Sequence, residues 1–517
     1  MLYVSIFVEL LRARPALAVW IAALLQAVLW TLVPSLFYDA PPGDVSAVLA
    51  VGHEFRLGTH LGPPLAFWLA EIVYSLTGSL FGVYALSQAC VVATYWTVFA
   101  LGRTIVGAQH AALAVLLMVG VSLLTVPTPD FGPSILAMPL WALILLHYWR
   151  AVGEGRRGYW VPLATEIGLL LLTSYAGFLL LGLLVLFTLV NPRARASLTS
   201  TDPWIAVALA LIVMLPHLLW LLDSSDGLLP LFTSLRPPEL GADKFVAWLR
   251  QMAFIAAAHL GLLVLVALVV GWPWSRREPA PVIMRRPVDP FARQFVYFFT
   301  FMPALAATLA AALSGGTVPI GGYAPLVVLS GLAVIVAAGD GIELTHQRAA
   351  IWGWFGLLLA PPVLTVAALL ALPWIGVELG VAQPADPIAR FFADNYQRRI
   401  GQPPKIVAGE PRTAAFVALG PSRPGLFLQS TPEHSPWLTL DDIKANGAIV
   451  VWPTTDTAGT VPPDIKERFP DLVPEVPRTF DRRVQGRLPL FRIGWAVIRP
   501  QAQPAAIPAA PPGATPQ

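Results

Sequence analysis

Asp39, Asp44, His53, Glu54 and His60 fall within one polar stretch, residues 39–64, DAPPGDVSAVLAVGHEFRLGTHLGPP, between the first two long apolar segments. Carboxylates take up protons or bind cations, and imidazoles hydrogen-bond phosphate or hold a metal, so such a concentration reads as a site. Asp130 joins these candidates. It interrupts LLTVPTPDFGPSIL between two apolar segments, where a buried carboxylate is costly and a functional role is the default hypothesis. Two acids distant in sequence and brought together by helix packing can supply a general base or bind a metal, which leaves a divalent cation (Mg or Mn) open. Asp44 also follows Pro-Pro-Gly and begins the helical stretch DVSAVLAVGHEF, so capping of a helix N-terminus competes evenly with catalysis. His53, Glu54 and His60 precede the rigid Gly62-Pro63-Pro64 and rank lower, because a lone interfacial histidine is more often a packing residue. Arg236, in SLRPPEL, is the best phosphate partner since its guanidinium fork suits paired oxygens; interfacial anchoring is its competing role. Glu166 lies less than two turns from the end of its apolar segment, and snorkelling to the inner face accounts for it.

The elements that must position these residues are membrane helices. The chain is 56% hydrophobic and only 12% charged, with a mean hydropathy of +0.68, against about 25% charged in soluble domains. It is a polytopic membrane protein. The net charge of +3 and the scattered arginines exclude a nucleic-acid-binding stripe. Cys90, the sole cysteine, permits neither an intramolecular disulfide nor a cysteine-based metal site. The first apolar run is longer than the roughly 7–15 residues of a signal-peptide core, so it reads as a retained helix.

A span of about 30 Å takes about 20 apolar residues. The candidates are 15–36, 80–102, 108–126, 132–149, 159–173, 175–190, 203–222, 245–271, 293–313, 323–338 and 350–372, about 11 TM helices. The pair at 159–190 can also be one long helix. Segment 61–79 reads as an amphipathic helix in the outer interface. With that assignment Arg12, Arg14, Arg103, Arg150, Arg156, Arg157, Arg193, Arg195, Arg276, Arg277, Arg285, Arg286, Arg293 and Arg348 share one face, and only Arg56, Arg236, Lys244 and Arg250 lie on the other. Fourteen against four is a positive-inside signal. It puts the N-terminus in the cytoplasm, and the outer loops 37–79 and 223–244 and the C-terminal part outside.

Three parts follow: a transmembrane domain over 1–375, an α/β domain over 376–500 and a disordered Ala/Pro tail over 501–517. The α/β reading rests on strand-like KIVAG, GLFLQ, AIVVWP and LFRIGWAVI alternating with helix-like PRTAAFVAL, LTLDDIKANG and PPDIKERF. The tail, QAQPAAIPAAPPGATPQ, has no means of forming a core.

Asp44 followed by Pro63-Pro64-Leu65 and AFWL, then TPDFGPSILAMPLWALILLHYWRAV, then LPHLLWLLDSSDGLLPLF, resemble the motifs of the polytopic GT-C superfamily glycosyltransferases. The group in view is family 39 and the aminoarabinose-transferase-like enzymes, which include the rhizobial lipopolysaccharide sugar transferases. The motifs cover roughly residues 15–250. Two positions depart from the pattern: Val45 stands where an Asp-Glu pair has Glu, and Gly62 where a basic residue usually precedes Pro-Pro. The resemblance implies inverting transfer of a sugar from a polyprenyl-phosphate-sugar donor to a glycolipid, polysaccharide or protein acceptor. The place would be the periplasmic face of a bacterial inner membrane. On this reading Asp44 is the base and Asp130 orients donor or acceptor, while His53, Glu54, His60, Pro63, Pro64 and Arg236, chosen by residue type and place, are the substrate-binding candidates. A transporter or flippase for a lipid-linked glycan is the competing class, with a catalytically silent scaffold as a third. No internal repeat favours transport.

Overall fold

A computed structural model describes residues 2–59, 61–223, 242–270, 282–314, 322–343, 346–428, 435 and 437–501. The chain divides into two compact units, one of residues 1–48 and 55–371, the other of residues 49–54 and 372–517.

The first unit is helical. It opens with α1 (Leu2–Ala13) and α2 (Pro15–Phe37), followed by two shorter helices, α3 (Val45–Gly52), whose last residues group with the second unit, and α4 (Leu65–Thr77). Next come α5 (Leu80–Val106), α6 (Ala108–Met118), α7 (Pro133–Tyr148), α8 (Trp160–Leu171), α9 (Ala176–Val190), α10 (Pro192–Arg195) and α11 (Asp202–Asp223). After them follow α12 (Ala242–Ala258), α13 (Leu260–Val270), strand β1 (Val282–Met284), α14 (Pro290–Ser314), α15 (Ser330–Ala337), strand β2 (Gly341–Glu343) and α16 (Gln347–Ala371). Every one of the eleven expected segments carries a helix. Among the described residues five helices are long and apolar enough to cross a membrane, or seven if each of two bent pairs counts as one span. This is a multi-pass membrane protein.

α2 shows why such helices form and pack as they do. Pro15 stands in its first turn, where a missing N–H costs nothing. Ala18, Val19, Ala22, Ala23, Gln26 and Trp30 are buried, whereas Leu17, Ile21, Leu24, Val28 and Leu32 point outward. Small residues let helices approach closely while leucines meet lipid.

One helix differs from its expected extent, and two others follow theirs. α6 stops at Met118, and just beyond it Gly120 lies against the Gly261–Leu262 backbone of α13 so closely that neither glycine has room for a Cβ. The 159–190 segment is two helices, broken at residues 172–175, where Ser174 accepts the Ala176 N–H at 3.2 Å and the Leu172 carbonyl accepts Leu65 N–H at 2.9 Å. α4, expected at the outer interface, has 13 residues and is about 20 Å long, too short to span. Its Glu71 is buried and accepts the Ser75 hydroxyl at 3.1 Å. Glu166 does not snorkel: at 9% exposure it is held by His147 Nδ1 at 2.7 Å.

The second unit contains α17 (Ala385–Ile400), α18 (Pro411–Ala418), α19 (Leu440–Asn446), α20 (Pro463–Arg468) and a sheet of β3 (Ile406–Gly409), β4 (Gly425–Phe427), β5 (Ala448–Thr454), β6 (Glu475–Phe480) and β7 (Phe491–Ile498). The strand order is β4-β3-β5-β7-β6, with β3 parallel to β4 and β5, and β7 antiparallel to β5 and β6. One core holds Ile406, Phe427, Ile443, Val450, Trp452 and Ile465. β6 is an edge strand whose Pro477 falls at a register shift, the position where a residue lacking N–H is tolerated. The Ala/Pro tail after Gln501 lies outside the described residues.

Candidate functional site

Asp44 stands immediately before α3, and its carbonyl accepts the Val48 N–H at 2.8 Å, the first bond of that helix. Asp130 lies in the turn that leads into α7, where Pro133 occupies the first turn. The two meet: the Asp44 backbone N–H donates to Asp130 Oδ1 at 3.2 Å. Asp44 is exposed and Asp130 half-buried. Burial, with the Asp44 charge beside it, pushes the Asp130 carboxyl up to about 7, while the hydrogen bond from Asp44 pulls the other way. A carboxyl that ionises near neutral pH is matched to proton transfer.

Gly43 makes the approach feasible. Its φ of +49 is left-handed, and a Cβ there would fall inside the Asp130 carboxylate. Gly43→Ala is therefore expected to push the two aspartates apart and to abolish most activity, with thermal unfolding separating local displacement from global loss. Retention of wild-type rate would show that the contact is dispensable.

The Asp130 turn is pinned from below by polar groups inside the helices. Gln26 Nε2 donates to Leu124 O at 2.8 Å and its Oε1 accepts the Tyr95 hydroxyl at 3.0 Å. Gln88 Nε2 reaches Thr128 Oγ1 at 3.1 Å, and the Ser87 hydroxyl donates to Thr128 O. All four side chains are buried, so each bond replaces water that is absent there. The sequence reading missed this set; uncharged polar residues inside apolar segments were the available signal.

A second anchor holds the first outer loop. His217, in the LPHLLWLL motif, is fully buried; its Nδ1 lies 2.9 Å from Leu57 O and its Nε2 3.1 Å from the Tyr175 hydroxyl. A carbonyl only accepts, so Nδ1 carries the proton and Nε2 accepts from Tyr175. The ring stacks on Trp220 at 5.5 Å, whose indole covers Gly58 with no room for a Cβ. His217→Ala leaves Leu57 O and Tyr175 without this partner, an expected destabilisation of about 1–3 kcal/mol measurable in thermal melts. An unchanged melting temperature would remove His217 from the anchor.

Pro63 and Pro64 are buried, Pro64 at the N-cap of α4; here they direct the loop rather than present surface to a substrate. His53 and Glu54 belong to the second unit, in which Arg423 Nη2 donates to Leu49 O at 3.2 Å. His60 and Arg236 lie outside the described residues. Among the described residues no group of three or more His, Cys, Asp or Glu side chains is placed to hold a metal ion.

The model of the dolichyl-phosphate-mannose-protein mannosyltransferase family matches residues 62–220. A crystal structure of ArnT from Cupriavidus metallidurans bound to undecaprenyl phosphate superposes with a TM-score of 0.61 at 14% identity, covering 93% of this chain and 97% of that one. The archaeal oligosaccharyltransferase AglB from Archaeoglobus fulgidus, in complex with an inhibitory peptide and a dolichol-phosphate, gives 0.44 at 12% identity over 84% of this chain and 69% of that one. The arabinofuranosyltransferase AftD from Mycobacteria gives 0.45 at 16% identity over 93% and 41%. No curated protein sequence matches. The chain thus resembles the GT-C superfamily glycosyltransferases, in sequence over residues 62–220 and in an ArnT-like fold over 93% of its length.

Proposed function

We propose that this protein is an inverting glycosyltransferase that moves a sugar from a polyprenyl-phosphate-linked donor to a lipid, polysaccharide or protein acceptor at the periplasmic face of a bacterial inner membrane. The observation that carries the proposal is the meeting of Asp44 and Asp130 at the ends of α3 and α7, in a fold like that of ArnT, whose crystal structure holds undecaprenyl phosphate. A lipid-linked donor needs apolar surroundings for its tail and a water-reachable polar site for its head. Loops joining apolar helices supply both.

In the reaction the acceptor oxygen attacks the anomeric carbon from the side opposite the phosphate. The bond from that carbon to the phosphate oxygen breaks, and its electron pair leaves with polyprenyl phosphate, which needs no strong acid to depart. The acceptor proton passes to Asp44, the exposed carboxylate. Asp130 fixes the Asp44 backbone and faces the reacting groups. A second reading, in which Asp130 takes the proton, is favoured by its elevated pKa of about 7. Arg236 and His60 are proposed to contact the donor phosphate and sugar, and the C-terminal unit to lie in the periplasm. A divalent cation, Mg or Mn, would draw its protein ligands from Asp44 and Asp130 and would supply positive charge for the departing phosphate.

The test is a reconstituted assay of the full chain with a panel of polyprenyl-phosphate-sugars and a membrane-lipid extract, read by mass spectrometry. A new hexose, pentose or amino-sugar adduct is expected. Sugar crossing sealed vesicles with no new glycosidic bond would replace transfer by transport.

A further inference from the structure

A polar cavity of about 520 Å3 lies where the start of α2, the α5–α6 junction and the end of β1 converge. Arg12, His110, Arg285 and Arg286 line it, and none of its described lining residues is acidic. Three of its features point to a missing anion.

Arg285 is the first. An arginine that merely marks the inner face of a membrane protein extends its head into water, yet the Arg285 side chain is 4% exposed. Its Nε lies 3.4 Å from Asp340 Oδ1 and its Nη2 donates to Val336 O at 3.3 Å, but Nη1 is buried with no hydrogen-bond partner. The second is His110, 2% exposed, whose Nε2 is likewise buried without a partner. Such groups cost free energy unless something satisfies them. The third is the N-terminus of α6. Gly107, with φ +81, precedes it without a side-chain cap, no acid stands in the first turn, and the first intrahelical bond begins at Ala111 N–H. The backbone N–H groups of Ala108, Gln109 and His110 are therefore left to a ligand, at the end of the helix dipole that attracts anions.

We infer that this cavity binds the phosphate of an anionic lipid headgroup. Three guanidinium groups against Asp340 and the exposed Glu9, 3.9 Å from Arg12, still leave an excess of positive charge, and arginine forks match phosphate oxygens. Basic pockets between membrane helices on the inner face take up such headgroups, and the charge asymmetry of the sequence assigns Arg12, Arg285 and Arg286 to that face. The volume suits a phosphodiester headgroup. None of these residues belongs to the carboxylate pair, so the inference stands apart from the proposed transfer.

The test uses the full-length protein in detergent, titrated with phosphatidylglycerol or phosphatidylcholine and read by native mass spectrometry. Wild type is compared with the Arg12→Gln/Arg286→Gln double variant, which keeps the Arg285–Asp340 pair. Retention of phosphatidylglycerol over phosphatidylcholine is expected, weakened about thirtyfold in the double variant, the fold-change for two arginines at about 1 kcal/mol each. Retention that inorganic phosphate at millimolar concentration fails to displace supports the lipid source, and displacement by it reassigns the site to free phosphate and overturns the lipid assignment. Equal retention of the two lipids, or by wild type and variant, overturns the site.

Discussion

Asp44→Asn is expected to cut transfer by about 10²–10⁴-fold, the contribution typical of a positioned general base. The substitution is nearly isosteric and leaves the Asp44 backbone N–H free to donate to Asp130 Oδ1 as before. Asp44 is exposed, so its loss removes little packing, and the melting temperature and donor KM are expected to stay close to wild type. What disappears is an acceptor for the proton. A second consequence follows from the charge. Burial and then the Asp44 charge hold the Asp130 carboxyl up, so removing that charge lowers the Asp130 pKa, and the pH dependence of any residual rate is expected to move below 7. Transfer within a few-fold of wild type, measured on a folded variant, would take Asp44 out of the chemistry.

Much of this architecture is legible in the residues because membrane helices are written in composition. Each apolar segment became a helix, since a backbone in hydrocarbon must satisfy its own hydrogen bonds. Lengths were less legible. Gly120 in VGVSLL is a local stop signal for α6, but its close approach to the Gly261–Leu262 backbone, far along the chain, is not legible locally. In the C-terminal unit β3, β4, β5 and β7 were readable as apolar runs, whereas β6, EVPRTF, carries a proline and two charges and pairs only at an edge. α17 was readable and was missed: Ile388, Ala389, Phe392, Ala393 and Tyr396 recur at helical spacing and are buried, and Gly401 closes the helix. At the site, the two aspartates stand out because charge is rare in this chain. Their hydrogen bond does not, because it depends on the φ of Gly43 and on four polar side chains from α2 and α5 that look like ordinary helix residues.

Asp130→Asn carries the other large effect, and its sign follows from where the proton prefers to be. In the fold the Asp130 carboxyl is pushed from 3.8 to about 7, first by burial and then by the Asp44 charge. The folded state therefore favours the protonated form. Its stabilising contribution is complete below about pH 4, declines as pH rises and is lost once pH passes about 7. Asparagine mimics the protonated acid at every pH and still offers an Oδ1 to the Asp44 N–H. The variant is thus expected to match wild type near pH 4 and to be more stable at pH 8, by on the order of 4 kcal/mol. Chemical unfolding of the purified protein at the two pH values measures this directly. Activity is expected to move the other way, because the variant carries no negative charge toward the reacting groups: transfer falls, and the limb of the pH–rate profile near 7 flattens. Stability gained together with activity lost is the signature of a carboxylate kept in an unfavourable place for its chemistry. A variant no more stable than wild type at pH 8 would contradict the burial on which this account of Asp130 rests.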